Sequence, residues 1–421
     1  MTYAEALAVL EARQETRVEL GLARMRAHLA RLGDPHEAVP AFHVAGTNGK
    51  GSTCAMLAAV LAASGRRTGL YISPHLISPR ERVRVDGAPI SERAFADAVA
   101  RALAADAAGE LTYFELMTSV AFQHFARRRC DVAVLETGLG GRLDATNVVS
   151  APLAAIVTSI DFDHMQYLGD TLAQIAREKA AIFKRGRPAV YPELPRAAAS
   201  VVAAAARAGV PVPVRRAWTT TGVDWARGRQ TLRSPDGRRC RLGLLGARQG
   251  RNAALARAAL EASGLGVDER SWRRGLAAPG WHGRFEPVRL GRRTLIVDGG
   301  HNPEAARALA ATWRASPWSR RPARWILGLL RDKDAAGVLR PLSAFLRDVV
   351  IVRPPSPRAL EPDALAEAVR RAAPRARVTI ESGVETALAA WRRDRGAPDA
   401  AVCAGSLYLA GAALKACGRT A

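Results

Sequence analysis

Lysine is scarce in this chain. Of 62 lysines and arginines only five are lysine: Lys50, Lys179, Lys184, Lys333 and Lys415. Arginine and alanine are favoured throughout, as in a compositionally biased genome, so a retained lysine marks a position that needs an amine. Aromatic residues are few, 5% of 421. The formal charge of +23 invites a nucleic-acid partner. Such a surface needs clustered cations and stacking rings, whereas the arginines here are dispersed, so no nucleic-acid partner is expected. The five cysteines (Cys54, Cys130, Cys240, Cys403, Cys417) contain no C-x-x-C pair, which argues against a disulfide framework or zinc cluster. No apolar run reaches the roughly 20 residues of a membrane span, and no membrane partner is expected. The opening "MTYAEALAVLEARQETRVEL" carries four glutamates and lacks the basic end and uncharged core of a signal peptide. An amphipathic helix and a cytoplasmic location are expected.

What is present is a hydrophobic content of 48%, normal for a globular chain, and length enough for two or three domains. "FHVAGT", "RTGLYIS", "CDVAVLETG" and "LAAIVTSI" read as strands buried on both faces, with helical stretches between them. That alternation indicates an α/β chain with a parallel, doubly wound sheet. A second series follows residue 290: "RTLIVDGG", "ARWILGLL", "DVVIVRPP", "ARVTIES" and "DAAVCAGS". Between the two series, "TTTGVDWARGRQTLRSPDGRRCRLGLLG" reads as a small β extension closing the first domain. The boundary is expected near Pro287, giving domains 1–287 and 288–421.

The stretch "HVAGTNGKGST" (His43–Thr53) joins a strand to a helix. It departs from the common G-x-x-x-x-G-K-[ST] loop, with Val44 at the first glycine and Gly51 after Lys50. Gly46, Gly49 and Gly51 let backbone N–H groups approach oxygen atoms. The helix N-terminus adds positive potential. Lys50 reaches toward β- and γ-phosphates, and Ser52 offers a hydroxyl. The alternative is a plain turn with Ser52 as helix cap. Strand, glycines, lysine and helix together favour a nucleotide phosphate held by Gly46, Thr47, Asn48, Gly49, Lys50, Gly51, Ser52 and Thr53.

G-T-N-G-K-G-S resembles the ATP loop of the Mur ligase superfamily. "GLARMRAHLARLGDPH", "YISPHLISPRERVRVDG", "TYFELMTSVAFQHF", "LETGLGGRLDATN", "TSIDFDH", "EKAAIFK", "GRFE", "DGGHNP" and "GSLYLAG" narrow the resemblance to the folylpolyglutamate synthase/dihydrofolate synthase family. The matches run in order from Gly21 to Gly411. The resemblance implies an N-terminal P-loop ATPase domain on a parallel sheet plus a smaller C-terminal Rossmann-like domain. It implies ATP-dependent ligation of L-glutamate to dihydropteroate and to reduced folates through an acyl phosphate, by a monomer.

The same resemblance assigns roles. Ser73, Glu136, His164 and Lys179 are the implied metal set for two Mg2+ ions, with Lys179 as a carbamate and Asp163 orienting His164. Lys50, His164 and Lys179 are the implied catalytic group. Read alone, Ser73 is a helix cap, Glu136 a turn cap and His164 structural. Lys179 alone reads as solvated, since positions three and four away hold Ile175, Ala176, Ile182 and Phe183. Asn252, Arg284, Asp298 and His301 are implied nucleotide contacts, the second domain clamping the nucleotide. Arg17, Val18, Glu19 and Leu20, then Thr112, Tyr113, Phe114 and Glu115, then Leu143, Asp144 and Ala145 are the implied pterin side. Asp144 would pair with the pterin's polar edge. His282, Arg248 and Gly300 stand where the family usually has proline, histidine and alanine. A single-activity member, another Mur-type ligase, a basic P-loop nucleic-acid binder and an inactive relative are the alternative readings.

Overall fold

Nine apolar segments were expected to be strands, and all nine are. The computed structural model describes residues 1–13, 19–106 and 109–419. Its first unit comprises Met1–His75, Pro79–Trp218 and Arg251–Gly280; its second comprises Leu76–Ser78, Thr219–Gly250 and Trp281–Ala421.

The first unit is built on an eight-stranded sheet. Its strands are β1 (Ala41–Ala45), β2 (Thr68–Tyr71), β3 (Val83–Val85), β4 (Ala88–Pro89), β5 (Val132–Glu136), β6 (Ala154–Val157), β7 (Pro188–Pro192) and β8 (Val210–Val214). They lie in the order β4-β3-β2-β5-β1-β6-β7-β8. Every residue of β1, β5 and β6 is buried, because helices cover both faces, which is why these strands read as unbroken apolar runs. β2, β5, β1 and β6 are mutually parallel. The loops that follow them therefore gather at one sheet edge, where ligands bind in open α/β sheets. The expected opening helix is Tyr3–Ala12, with a Thr2–Glu5 capping box at its start.

Two pairs of strands escaped the sequence reading. β3 and β4 form a short hairpin across Asp86 and Gly87, both with left-handed backbone (φ 52° and 83°). β7 and β8 contain prolines, which count against strands except at an edge. β8 is the edge strand.

The second unit holds a three-stranded sheet of β9 (Thr219–Asp224), β10 (Arg229–Arg233) and β11 (Arg239–Leu242). It also holds a six-stranded sheet of β12 (Glu286–Leu290), β13 (Arg293–Asp298), β14 (Arg324–Leu327), β15 (Asp348–Val352), β16 (Arg377–Glu381) and β17 (Ala400–Ala404), ordered β12-β13-β17-β14-β15-β16. Only β12 runs antiparallel. The β extension differs from its expected place. Val223 and Trp225 pack on the second unit's core, and Trp225 meets Phe285 and Trp318 edge-on. The chain then returns, and Gly275 lies against the Val60 backbone of the first unit. A single cut near Pro287 cannot describe a chain that leaves one unit and comes back. Among the described residues no helix is long and apolar enough to cross a membrane.

Candidate active site

The loop after β1 turns through Gly46 (φ 148°) and Gly49 (φ 90°) before the helix Lys50–Ala63 begins. Both positions need glycine for backbone angle and for space. A Cβ at Gly46 would collide with Thr158 Oγ1, and one at Gly49 would lie 2.6 Å from Asn252 Oδ1. The continuation of β6 holds the loop. Thr47 N–H donates to Ser159 O (2.9 Å) and Asn48 N–H to Ser159 Oγ (2.9 Å). Thr158 Oγ1 donates to Asn48 O (2.7 Å), and Thr47 Oγ1 donates to Asp161 O (3.0 Å). The sequence reading missed Thr158 and Ser159; two hydroxyls in the loop beside a phosphate loop were the available signal. Lys50 Nζ folds back to Gly46 O (2.9 Å), while Ser52 and Thr53 are buried in the first helical turn.

Glu136 ends β5 and is buried; its Oε2 accepts Ser73 N–H (3.2 Å). Two of the expected metal ligands are thus brought together. His164 has left-handed backbone (φ 51°), and its Nε2 lies 3.8 Å from Asp163 Oδ1.

Lys179 is not solvated. It is 3% exposed on the helix Leu172–Ala180, and its Nζ donates to Gly46 O (3.2 Å). Two amines, Lys50 and Lys179, therefore meet one carbonyl. Burial first, and then the Lys50 charge, push the Lys179 pKa down to about 7, against the pull of Asp163, Asp144 and Glu178.

On the expected pterin side, Arg17 and Val18 lie outside the described residues. Glu19 and Leu20 are exposed. Arg24 ties this segment to the next, with Nη1 3.5 Å from Glu19 and Nη2 3.2 Å from Glu115. Thr112 and Glu115 form a capping box at the start of the helix Tyr113–Arg127. The Arg82 guanidinium lies 4.9 Å from the centre of the Tyr113 ring. The Phe114 ring covers Gly138, where a Cβ would stand 2.5 Å from Cζ.

Asp144, expected on the pterin side, organises its own loop. Its Oδ2 accepts the N–H groups of Gly138 (2.8 Å) and Leu139 (2.9 Å). Its Oδ1 accepts Thr146 N–H (3.0 Å) and Thr146 Oγ1–H (2.5 Å), and Thr146 Oγ1 also pairs with His43 Nε2 (2.7 Å). Both oxygens are spent on organising the loop. Burial raises its pKa while these bonds oppose the rise. The D-A-T spacing, typical of an Asx turn, carried this signal. Leu143 is partly buried and Ala145 buried beside it.

In the second unit, Asp298 ends β13 and joins two motifs: Oδ2 accepts Phe285 N–H (2.9 Å) and Oδ1 accepts Gly300 N–H (2.8 Å). Burial raises its pKa, and the Arg284 charge lowers it. Arg284 Nη1 donates to Gly283 O (2.9 Å). His301 Nδ1–H donates to Gly299 O (3.0 Å). The three departures from the family pattern have local reasons. A Cβ at Gly300 would lie 2.7 Å from Asp298 Oδ1. Arg248 pairs with Glu304, and His282 Nδ1 with Glu286 Oε1 (3.0 Å). Asn252 lies in the first unit, beside the phosphate loop.

The Mur ligase middle domain matches residues 44–260, and the Mur ligase glutamate ligase domain matches residues 283–407. The chain belongs to the Mur ligase family. Among its Mur ligase relatives is the Escherichia coli (strain K12) dihydrofolate synthase/folylpolyglutamate synthase, 41% identical over 350 residues, 82% of this chain and 79% of that one. The structure of E. coli FolC in complex with DHPP and ADP aligns with a TM-score of 0.85 at 35% identity, covering 99% of this chain and 97% of that one. A structure of a bifunctional folylpolyglutamate synthase/dihydrofolate synthase with Mn, AMPPNP and L-glutamate bound aligns with a TM-score of 0.84 at 34% identity, covering 100% of this chain and 98% of that one.

The donor set of this Mur ligase fits a hard divalent cation. Glu136 and Ser73 offer oxygens at the strand ends beside the phosphate loop, and such ions take oxygen ligands and phosphate oxygens. His164 adds an imidazole. Lys179 fits only after its amine becomes anionic. Among the described residues no three His, Cys, Asp or Glu side chains form a metal cluster.

Proposed function

We propose that this chain joins L-glutamate to the carboxylate of dihydropteroate and of reduced folates at the expense of ATP. The observation that carries the reading is the buried Lys179 aimed at the phosphate loop, beside Lys50 on the Gly46 carbonyl. Two ammonium ions there repel each other. Lys179 with a pKa of about 7 is substantially neutral at neutral pH. Its amine adds to carbon dioxide, forming an N–C bond and releasing one proton, and the product carries a negative charge. Repulsion with Lys50 becomes attraction.

Glu136, Ser73, His164 and the Lys179 carbamate would hold Mg2+, which supplies charge neutralisation at the phosphates. The loop N–H groups and Lys50 hold the β- and γ-phosphates and offset the charge developing in transfer. The substrate carboxylate attacks the γ-phosphorus, the bond to the β-bridging oxygen breaks, and ADP leaves. The glutamate amine then attacks the acyl phosphate carbonyl, loses its proton, and the tetrahedral intermediate expels phosphate. Asn252, Arg284, Asp298 and His301 are proposed nucleotide contacts, and Phe114 a wall for the pterin ring.

The test is phosphate release from ATP with L-glutamate and Mg2+, adding dihydropteroate or tetrahydrofolate in turn, with products weighed by mass spectrometry. Glutamylated product from both acceptors is expected. Product from one assigns a single activity. No product at any bicarbonate concentration would overturn the folate reading.

A further inference from the structure

Glu136 and Lys179 stand on elements far apart in sequence, the end of β5 and the last turn of the helix Leu172–Ala180. One turn of chain connects them in space. It leaves β5 at Thr137, whose N–H donates to Val44 O (3.0 Å). Asp144 then gathers the Gly138 and Leu139 N–H groups. At its far side the turn rests on the helix. A Cβ on Gly141 would stand 2.7 Å from Glu178 O, 3.0 Å from Lys179 O and 3.0 Å from Ile182 Cγ2. Arg142 N–H donates to Glu178 O (2.9 Å), and Arg142 Nε to Glu178 Oε1 (2.9 Å). The last carbonyls of a helix lack intrahelical partners, so the turn caps the very segment that carries Lys179.

We propose that Gly141 and Arg142 are positioning residues: their turn is a gauge that sets the Lys179 end of the helix against Glu136. The proposal rests on reading Lys179 as a carbamate metal ligand. Backbone-on-backbone contact makes the gauge stiff, since neither carbonyl can swing aside as a side chain would. Gly141 therefore matters more than the Arg142–Glu178 ion pair, which is half exposed on the arginine side and weak on that account.

The test uses full-length Gly141→Ala and Arg142→Ala. The measurements are kcat, KM for each substrate, Mn2+ affinity in the presence of AMPPNP by EPR, and Tm. Wild-type enzyme in 13C-bicarbonate is examined by NMR for a carbamate signal. Gly141→Ala is expected to lower kcat and Mn2+ affinity by about 10- to 100-fold, as lost support of metal ligands does, with KM for the acceptor within about twofold. Arg142→Ala should lower kcat by about two- to fivefold, the equivalent of an exposed pair. A folded Gly141→Ala with wild-type kcat and Mn2+ affinity overturns the proposal. So does a parallel fall of kcat, acceptor binding and Tm, which marks a merely structural turn. If Gly141→Ala does not fold, Arg142→Ala decides: an unchanged kcat overturns the gauge. Absence of the carbamate signal in wild type is a separate failure, of the Lys179 reading beneath it.

Discussion

Lys179 in the first unit and Trp325 in the second are both buried, at 3% and 0% exposure. Trp325 meets Trp313 edge-on (5.5 Å) and stacks with Phe345 (6.3 Å); burial of its apolar ring surface is favourable. Burial of Lys179 opposes its charge. The first unit buries further titratable groups near its sheet, Glu136, Asp144 and His43. The six-stranded sheet of the second is packed mainly with aliphatic and tryptophan side chains. Apolar burial holds a fold, whereas a buried carboxylate at a strand end beside a cleft, such as Glu136, is a candidate for chemistry.

The largest expected effect sharpens this contrast from the apolar side. Trp325→Ala should destabilise the second unit by about 3–5 kcal/mol, as large aromatic truncations do, read from denaturant midpoints. Lys179→Met should do the reverse: kcat falls by about 10²- to 10³-fold, in the range of lost transition-state electrostatics, while Tm holds or rises. A large drop in Tm would break the comparison.

Acid should find the first unit first. Burial and the Lys184 charge hold the His43 pKa down at about 3, and burial with nearby arginines holds His124 at about 4. Both are neutral when folded but take up protons near pH 6.5 when unfolded. The unfolded state thus binds more protons between those values, and stability is lost as pH falls from about 6.5. At pH 5 His43 alone accounts for a loss of about 2 kcal/mol. His43→Gln should flatten that pH dependence in thermal melts. The smallest effect is at the capping box: Thr112→Ala should cost about 1 kcal/mol. The loss should show as a small fall in Tm.

The strands were legible because both faces of the central sheet are covered, so β1, β5 and β6 read as apolar runs. β8 was not, because proline at an edge obeys a different rule from proline in a sheet centre, and neither was β7, whose prolines stand at its two ends. The phosphate loop was legible in its glycines and Lys50. The hydroxyls of Thr158 and Ser159 that anchor it come from more than a hundred residues on, a relation no local pattern carries. Lys179 alone read as solvated, because helical spacing reports neighbours on its own helix and not the loop that covers it. Asp144 was singled out for the pterin side and its part in organising the loop was not read, although its spacing to Thr146 held the clue.

The prolines of β8 have a further consequence. Val210 N–H points inward to Arg187 O (2.9 Å), so residues 210, 212 and 214 face β7, and Pro211 and Pro213 face away. Neither has an N–H to give. The outward rim of β8 offers acceptors only, and a strand from another molecule finds half the ladder missing there. At its β8 edge the eight-stranded sheet thus ends without becoming a template for aggregation.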